Sequence, residues 1–219
     1  MKSYQNLKIL QNLYRLKAMG YNYVDPIDIN ENTQTLSIND PKNLQKEIAT
    51  CHLCDFSKSR SQSMSGFGSL SAPVMFIDHV VSELEDETNS YFCGRSGEML
   101  KNMIQNVLGF SIEDIFYTHT IKCKPLDIHS SYKSEWLSCS SYLFAQIEQI
   151  RPKVIVTLGE DAFSYLSSTP KEEFEKLRGH IIEFKKSKLI PIYHPSYILR
   201  NPNLKRIVYN DLKTIKSCL

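Results

Sequence analysis

Short apolar runs rich in branched and aromatic residues alternate along the chain with stretches of helical periodicity. Val74-Met75-Phe76-Ile77, Ile115-Phe116-Tyr117-Thr118, Val154 to Leu158 and Leu189 to Tyr193 read as strands, while 95–108, 134–150, 160–167 and 203–216 read as helices, the last one basic. Strands this uniformly apolar are buried on both faces, and helices between them are the crossovers that parallel strands need. The pattern therefore predicts an α/β fold with a parallel sheet covered by helices on both faces. Upstream, Leu7, Leu10, Leu13, Tyr14 and Met19 recur at near-helical spacing and predict an amphipathic helix over 2–20 that ends at Gly20 and packs on the main body. Residues 21–40, polar and carrying Pro26, read as a linker. Asp40-Pro41 then supplies an N-cap and a first-turn proline for a short helix leading to Cys51. The expected division is an arm over 1–45 and a main domain over 46–219.

With 219 residues and a hydrophobic fraction of 42%, the chain can bury a core of its own. No stretch approaches the ~18 apolar residues of a membrane span, and the first twenty residues carry charge throughout, so a cytoplasmic protein is expected. Net charge is only +2, so composition does not announce a nucleic-acid partner and any such contact has to be local.

Cysteine usage changes the picture. Cys51 and Cys54 form a C-x₂-C pair among Lys, Arg and Ser, and Cys123 and Cys139 follow far downstream. In a reducing compartment disulfides are disfavoured, and four soft thiolates suit either a tetrahedral zinc ion or an iron–sulfur cluster. Cys93 and Cys218 read as ordinary small apolar residues. A second cluster comes from the strand ends: His79, His119 and His194 each lie at or just after the carboxyl end of a separate strand, where open α/β sheets bind ligands.

Several motifs together resemble the iron–sulfur uracil-DNA glycosylases, family 4 of the uracil-DNA glycosylase superfamily. They are Cys-His-Leu-Cys at 51–54, Val74-Met75-Phe76-Ile77 followed by Glu85-Asp86, Phe92-Cys93-Gly94-Arg95-Ser96-Gly97, Lys122-Cys123-Lys124-Pro125, Pro152 to Gly159, and His194-Pro195-Ser196-Tyr197. The similarity covers roughly residues 51 to 212. It implies a three-layer α/β/α sandwich and a structural [4Fe–4S] cluster on Cys51, Cys54, Cys123 and Cys139. By the same resemblance Phe92 stacks on a base flipped out of DNA, Gly94 and Gly97 let backbone approach it, and His194 donates a hydrogen bond to the departing base. Ser196, Ile198, Leu199 and Arg200 of the following loop, with Arg206, would meet DNA; for Ile198 and Leu199 core packing is an equal reading. No obligate protein partner is implied, and the default is a monomer acting on DNA that contains a deaminated base.

Two positions depart from that family. Its Gly-Glu-Ala-Pro-Gly is replaced by Asp78-His79-Val80-Val81-Ser82, so His79, with Asp78 orienting or replacing it, takes over the handling of water. His119 stands where the family reads the base with an Asn, and an imidazole cannot offer the donor and acceptor side by side. The expected protein is a DNA N-glycosylase of reduced rate or altered base specificity; the alternative is a relative that binds damaged DNA without excising anything.

Overall fold

The four apolar runs form four adjacent parallel strands at the centre of a six-stranded sheet. The computed structural model describes residues 10, 11, 13, 14, 41–126 and 132–219. Of the expected N-terminal helix, Leu10, Gln11, Leu13 and Tyr14 are helical; the remainder of that helix and the linker over 21–40 lie outside the described residues. The chain runs through α1 (Pro41–Ala49), β1 (Phe67–Gly68), β2 (Val74–Val80), α2 (Glu83–Thr88) and α3 (Gly94–Met103), which continues as one π-turn over Ile104–Leu108. Next come β3 (Phe116–Ile121), α4 (Lys133–Ile150), β4 (Val154–Leu158), α5 (Gly159–Ser167) and α6 (Phe174–Leu177). The chain closes with β5 (Ile182–Phe184), β6 (Ser187–Ile192), α7 (Pro195–Arg200) and α8 (Lys205–Ser217).

Sheet order is β1-β3-β2-β4-β6-β5, with β3, β2, β4 and β6 parallel and the two short edge strands antiparallel. The step from β2 to β3 runs one way along the sheet, and the step from β3 to β4 runs back past β2. Right-handed crossovers therefore send α3 to one face and α4 and α5 to the other, the three layers expected. α8 joins the α3 face, packing on the π-turn and on β6. Val74, Phe76, Ile155, Val156, Leu189 and Ile190 are fully buried between the layers, each worth ~1.5–3 kcal/mol of apolar transfer. Among the described residues no helix is long and apolar enough to cross a membrane.

β2 is longer than its apolar run. Asp78 pairs with His119 and Val80 with Ile121, so the strand carries three more residues toward the cleft end of the sheet. The branched side chain of Val80 fits this extended path. Ser82 then caps α2 in a reciprocal box with Glu85, so no tight glycine turn is needed.

Candidate active site

The reversal of strand order places a crevice beyond the carboxyl ends of β2 and β4, the switch point where open sheets bind ligands. A cleft of about 590 Å³ opens there, walled by the ends of β2, β4 and β6 and by the first turns of α3 and α7. Asp78, His79, Phe92, Gly97, His194, Ser196 and Arg200 all line it. Sequence reading had placed these in one site, and the fold brings them together.

His194 is the N-cap of α7, with Pro195 in the first helical position. The Ser196 backbone N–H donates to His194 Nδ1 at 3.1 Å, so in the neutral ring the proton sits on Nε2. Nε2 faces Asp78 Oδ2 at 3.0 Å. Burial works against a charge on His194, yet the adjacent Asp78 carboxylate outweighs it and lifts the imidazole above its ordinary pKa. When both nitrogens carry protons, the Ser196 hydroxyl, 2.7 Å from Nδ1, is placed to accept. Burial alone would raise Asp78 as well; His194, as charge and as donor, reverses the sign and holds the carboxyl well below the usual carboxylate range. Gly159, at φ +85°, opens α5 beside this pair, and a Cβ there would lie 3.2 Å from His194 Cβ.

His79 sits on the other side of Asp78, its N–H donating to Asp78 Oδ1 at 2.7 Å. The ring stacks on Tyr165 at 4.9 Å and 17°. Thr120 Oγ1 donates to the His79 carbonyl at 2.5 Å and lies 3.1 Å from His79 Nδ1. With its only proton committed, the hydroxyl must accept from Nδ1–H, which leaves the lone pair on Nε2. Burial lowers the His79 pKa, so the ring is neutral near pH 7.

Phe92 adopts φ 59°, a left-handed conformation rare for an aromatic residue, and its ring lies 4.8 Å from that of Tyr117. A Cβ on Gly97 would stand 2.1 Å from the Phe92 carbonyl carbon, so this glycine is fixed by close approach. Gly94, at φ +65°, starts α3 but is exposed and not on the cleft wall. Cys93 does line the cleft, although its sequence gave it no role.

His119 differs from expectation. It is fully buried, does not line the cleft, and lies behind Tyr117, its Nε2 3.4 Å from both Tyr117 Oη and Glu85 Oε2. Tyr117 stands two residues earlier on the same face of β3 and reaches the cleft instead, donating to Asp78 Oδ2 at 3.0 Å. Burial pushes the phenol well above its usual range, so it remains a donor. Glu85 is depressed although burial opposes this, because His119 and Ser82 bond its carboxylate. The period-2 spacing of Tyr117 and His119 was the available signal for Tyr117. Ile198 is fully buried in the main core, whereas Leu199 is half-buried. The exposed apolar ring of this loop is Tyr197, and Arg200, Lys205 and Arg206 are exposed around it.

Cys51, Cys54, Cys123 and Cys139 line one small cavity between α1, the end of β3 and α4. No three His, Cys, Asp or Glu side chains among the described residues are gathered closely enough to grip a single metal ion. Burial pushes Cys54 up to about 11 and Cys139 up to about 12, and raises Cys123 too. Arg60 Nη1 donates to Cys123 Sγ at 2.8 Å and Lys122 N to Cys139 Sγ at 3.4 Å, donors of the kind that stabilise metal-bound thiolates. The donor set fits a thiolate-held group. Asp86, buried and accepting from Ser61 N at 3.0 Å, ties the cysteine loop to the cleft side of the fold.

A sheet of this order with a histidine-capped helix beside its switch point defines an α/β/α protein with a cleft at the carboxyl ends of its strands. Residues 65–213 match the family model of the uracil DNA glycosylase superfamily, and the chain belongs to that superfamily. It is 35% identical over 180 residues to a type-4 uracil-DNA glycosylase of Saccharolobus solfataricus, covering 79% of this chain and 83% of that protein. It is 34% identical over 180 residues to the one of Sulfurisphaera tokodaii, covering 79% and 82%. The type-4 uracil-DNA glycosylase of Thermotoga maritima is 34% identical over 177 residues, covering 80% of this chain and 92% of that protein.

Proposed function

We propose that this protein is a DNA N-glycosylase of base-excision repair that hydrolyses the glycosidic bond of uracil or a related deaminated base flipped out of DNA. The observation that carries the reading is His194, held by Ser196 with its Nε2 donor at the floor of a cleft that also presents the Phe92 ring. The bond is unreachable inside the stack, so the nucleotide has to be extruded at a cost of a few kcal/mol. Phe92 offers the extruded ring a stacking face.

As the C1′–N bond breaks, its electron pair passes to the base, and the His194 Nε2–H, bonded to Asp78 Oδ2 in the free protein, turns to the ring carbonyl and stabilises the charge that develops there. Water adds to C1′, and the Nε2 lone pair of His79 takes its proton. Asp78 holds His194 in register and favours its protonated form. Tyr197, Leu199, Arg200 and Arg206, with Ser196 at the cleft mouth, meet the DNA, the arginines on phosphates. His119 supports Tyr117 from behind instead of touching the base.

Cys51, Cys54, Cys123 and Cys139 would hold a [4Fe–4S] cluster, with zinc as the less favoured occupant. Such a group would tie the loop after α1 to the end of β3 and to α4. The reading further takes 46–219 as the catalytic domain, 1–45 as an arm, and the protein as a cytoplasmic monomer. It is tested by excision assays on single-stranded and duplex oligonucleotides containing uracil, hypoxanthine, xanthine or no lesion, run beside His194→Ala. Binding to lesions without excision would instead favour a damage-binding protein.

A further inference from the structure

The burial of His119 leaves the cleft without the side chain expected to read the base, and the groups that do face it supply another reader. Asp78 and His194 lie side by side, the His194 Nε2–H donating to Asp78 Oδ2 at 3.0 Å and leaving Oδ1 as the less occupied oxygen. Among the described residues, Asp78 accepts from His79 N on Oδ1 and from Tyr117 Oη and His194 Nε2 on Oδ2. A carboxylate has about four acceptor sites, so one stays open, on Oδ1. The Asp78 side chain keeps 14% of its surface exposed and that of His194 30%, and both line the cleft. Phe92 and Asp78 line the same cleft with Tyr117 between them, its ring 4.8 Å from that of Phe92 and its hydroxyl 3.0 Å from Asp78 Oδ2.

We propose that Asp78 is the base-reading residue of this cleft, accepting the ring N–H of a lactam edge on Oδ1, while the His194 Nε2–H, bonded to Oδ2 in the free protein, is shared with the neighbouring carbonyl. The proposal deepens the glycosylase reading and rests on it for the identity of the ligand as a flipped base. Its chemistry names a substrate class. Deamination converts an amino group beside a bare ring nitrogen into a carbonyl beside a ring N–H, as in uracil, hypoxanthine and xanthine. An ionised carboxylate accepts from that N–H and repels the lone pair at the same place in cytosine or adenine. Thymine and guanine carry the same lactam edge, and this contact does not separate them from the lesions.

The position also accounts for why an aspartate is tolerated at the end of a buried strand. Tyr117 and His194 both donate to one of its oxygens, and the His79 backbone fixes the other, so the carboxylate is held from both sides with His194 as its charge partner. Glu85, another carboxylate that lines the cleft, is held by Ser82 and His119 as the cap of α2.

The test uses the full-length protein and oligonucleotides carrying 2′-fluoro-2′-deoxyuridine, which resists excision, or its N3-methyl derivative, with affinities read by fluorescence anisotropy at one fixed salt concentration. Wild type should prefer the unmethylated base about tenfold or more, the size of a good polar contact to a base edge. Asp78→Ala should reduce that preference to about twofold or less. Asp78→Asn, which keeps the side chain's shape and gains an N–H₂ donor, should improve binding to a cytosine oligonucleotide relative to uracil. A wild type indifferent to N3-methylation, or a preference that survives in both variants, overturns the proposal. Uracil excision by wild type on the ordinary deoxy oligonucleotide reports on the glycosylase reading separately. Discrimination without excision would uphold the base contact and remove the activity, whereas excision with a preference untouched by Asp78→Ala would overturn the base contact alone.

Discussion

Asp78→Asn should destabilise the protein, and the loss should depend on pH in a direction set by the pair that Asp78 forms with His194. The two side chains keep 14% and 30% of their surface exposed, and their hydrogen bond is 3.0 Å long. This is too buried for the ~0–1 kcal/mol of an exposed ion pair, and a hydrogen bond to a charged group is worth ~1.5–3 kcal/mol. We expect about 2 kcal/mol at pH 5 to 6, which for a domain of this size is a fall in Tm of about 4–8 °C. His194 has a raised folded pKa, so its contribution is complete below the unfolded value of about 6.5 and is lost as pH rises through the folded value. Asp78 has a depressed folded pKa, so its contribution is complete above about 3.9 and is lost as pH falls through the folded value. Both are present between about pH 4 and 6.5, and the Tm difference between wild type and variant should peak there. It should shrink to about half by pH 9, where a neutral imidazole still donates to the carboxylate. Scanning calorimetry across that range is the assay. A difference that is flat with pH, or that grows toward pH 9, would refute the pairing.

Other outcomes follow from separate parts of the fold. Protein purified without oxygen should carry about four irons per chain. Serine at Cys51, Cys54, Cys123 or Cys139 should lower iron content and solubility, while serine at Cys93 or Cys218 leaves iron unchanged; stoichiometric zinc without iron would contradict the cluster. Gly97→Ala should cost about 1–3 kcal/mol in chemical denaturation, because its Cβ meets the Phe92 backbone at 2.1 Å, where no flexible side chain can yield. Charge reversal at Arg200 and Arg206, both exposed, should weaken DNA binding about equally for every sequence and flatten its salt dependence; affinity unchanged in a salt titration would move the DNA face elsewhere.

The central sheet was legible because strands buried on both faces leave unbroken apolar runs, as at Val74 to Ile77 and Val154 to Leu158. The extension of β2 through Val80 was not, because Asp78 and His79 look like loop residues until pairing with His119 and Ile121 is known. β1 and β5, with two and three residues, are too short for any period to register. α2 had a readable signal in Ser82-Glu83-Leu84-Glu85, a capping box that comparison of this stretch with the family's Gly-Glu-Ala-Pro-Gly concealed. In the site, His194, His79 and Asp78 could be placed because strand ends are where ligands bind. Tyr117 and His119 could not be ranked, since period-2 spacing gives them one face but not which of them fills it and which is covered. Ile198 was ambiguous for the same reason: a short apolar loop segment reads alike whether it enters the core or faces a partner.

The most direct test of the whole account is single-turnover excision, with enzyme in excess over an oligonucleotide containing uracil or hypoxanthine, by wild type and by His194→Ala. The account predicts excision of the deaminated bases by wild type and a loss of about 10²–10³ in rate on removing the His194 donor. No excision by wild type, or excision by His194→Ala at the wild-type rate, would contradict it.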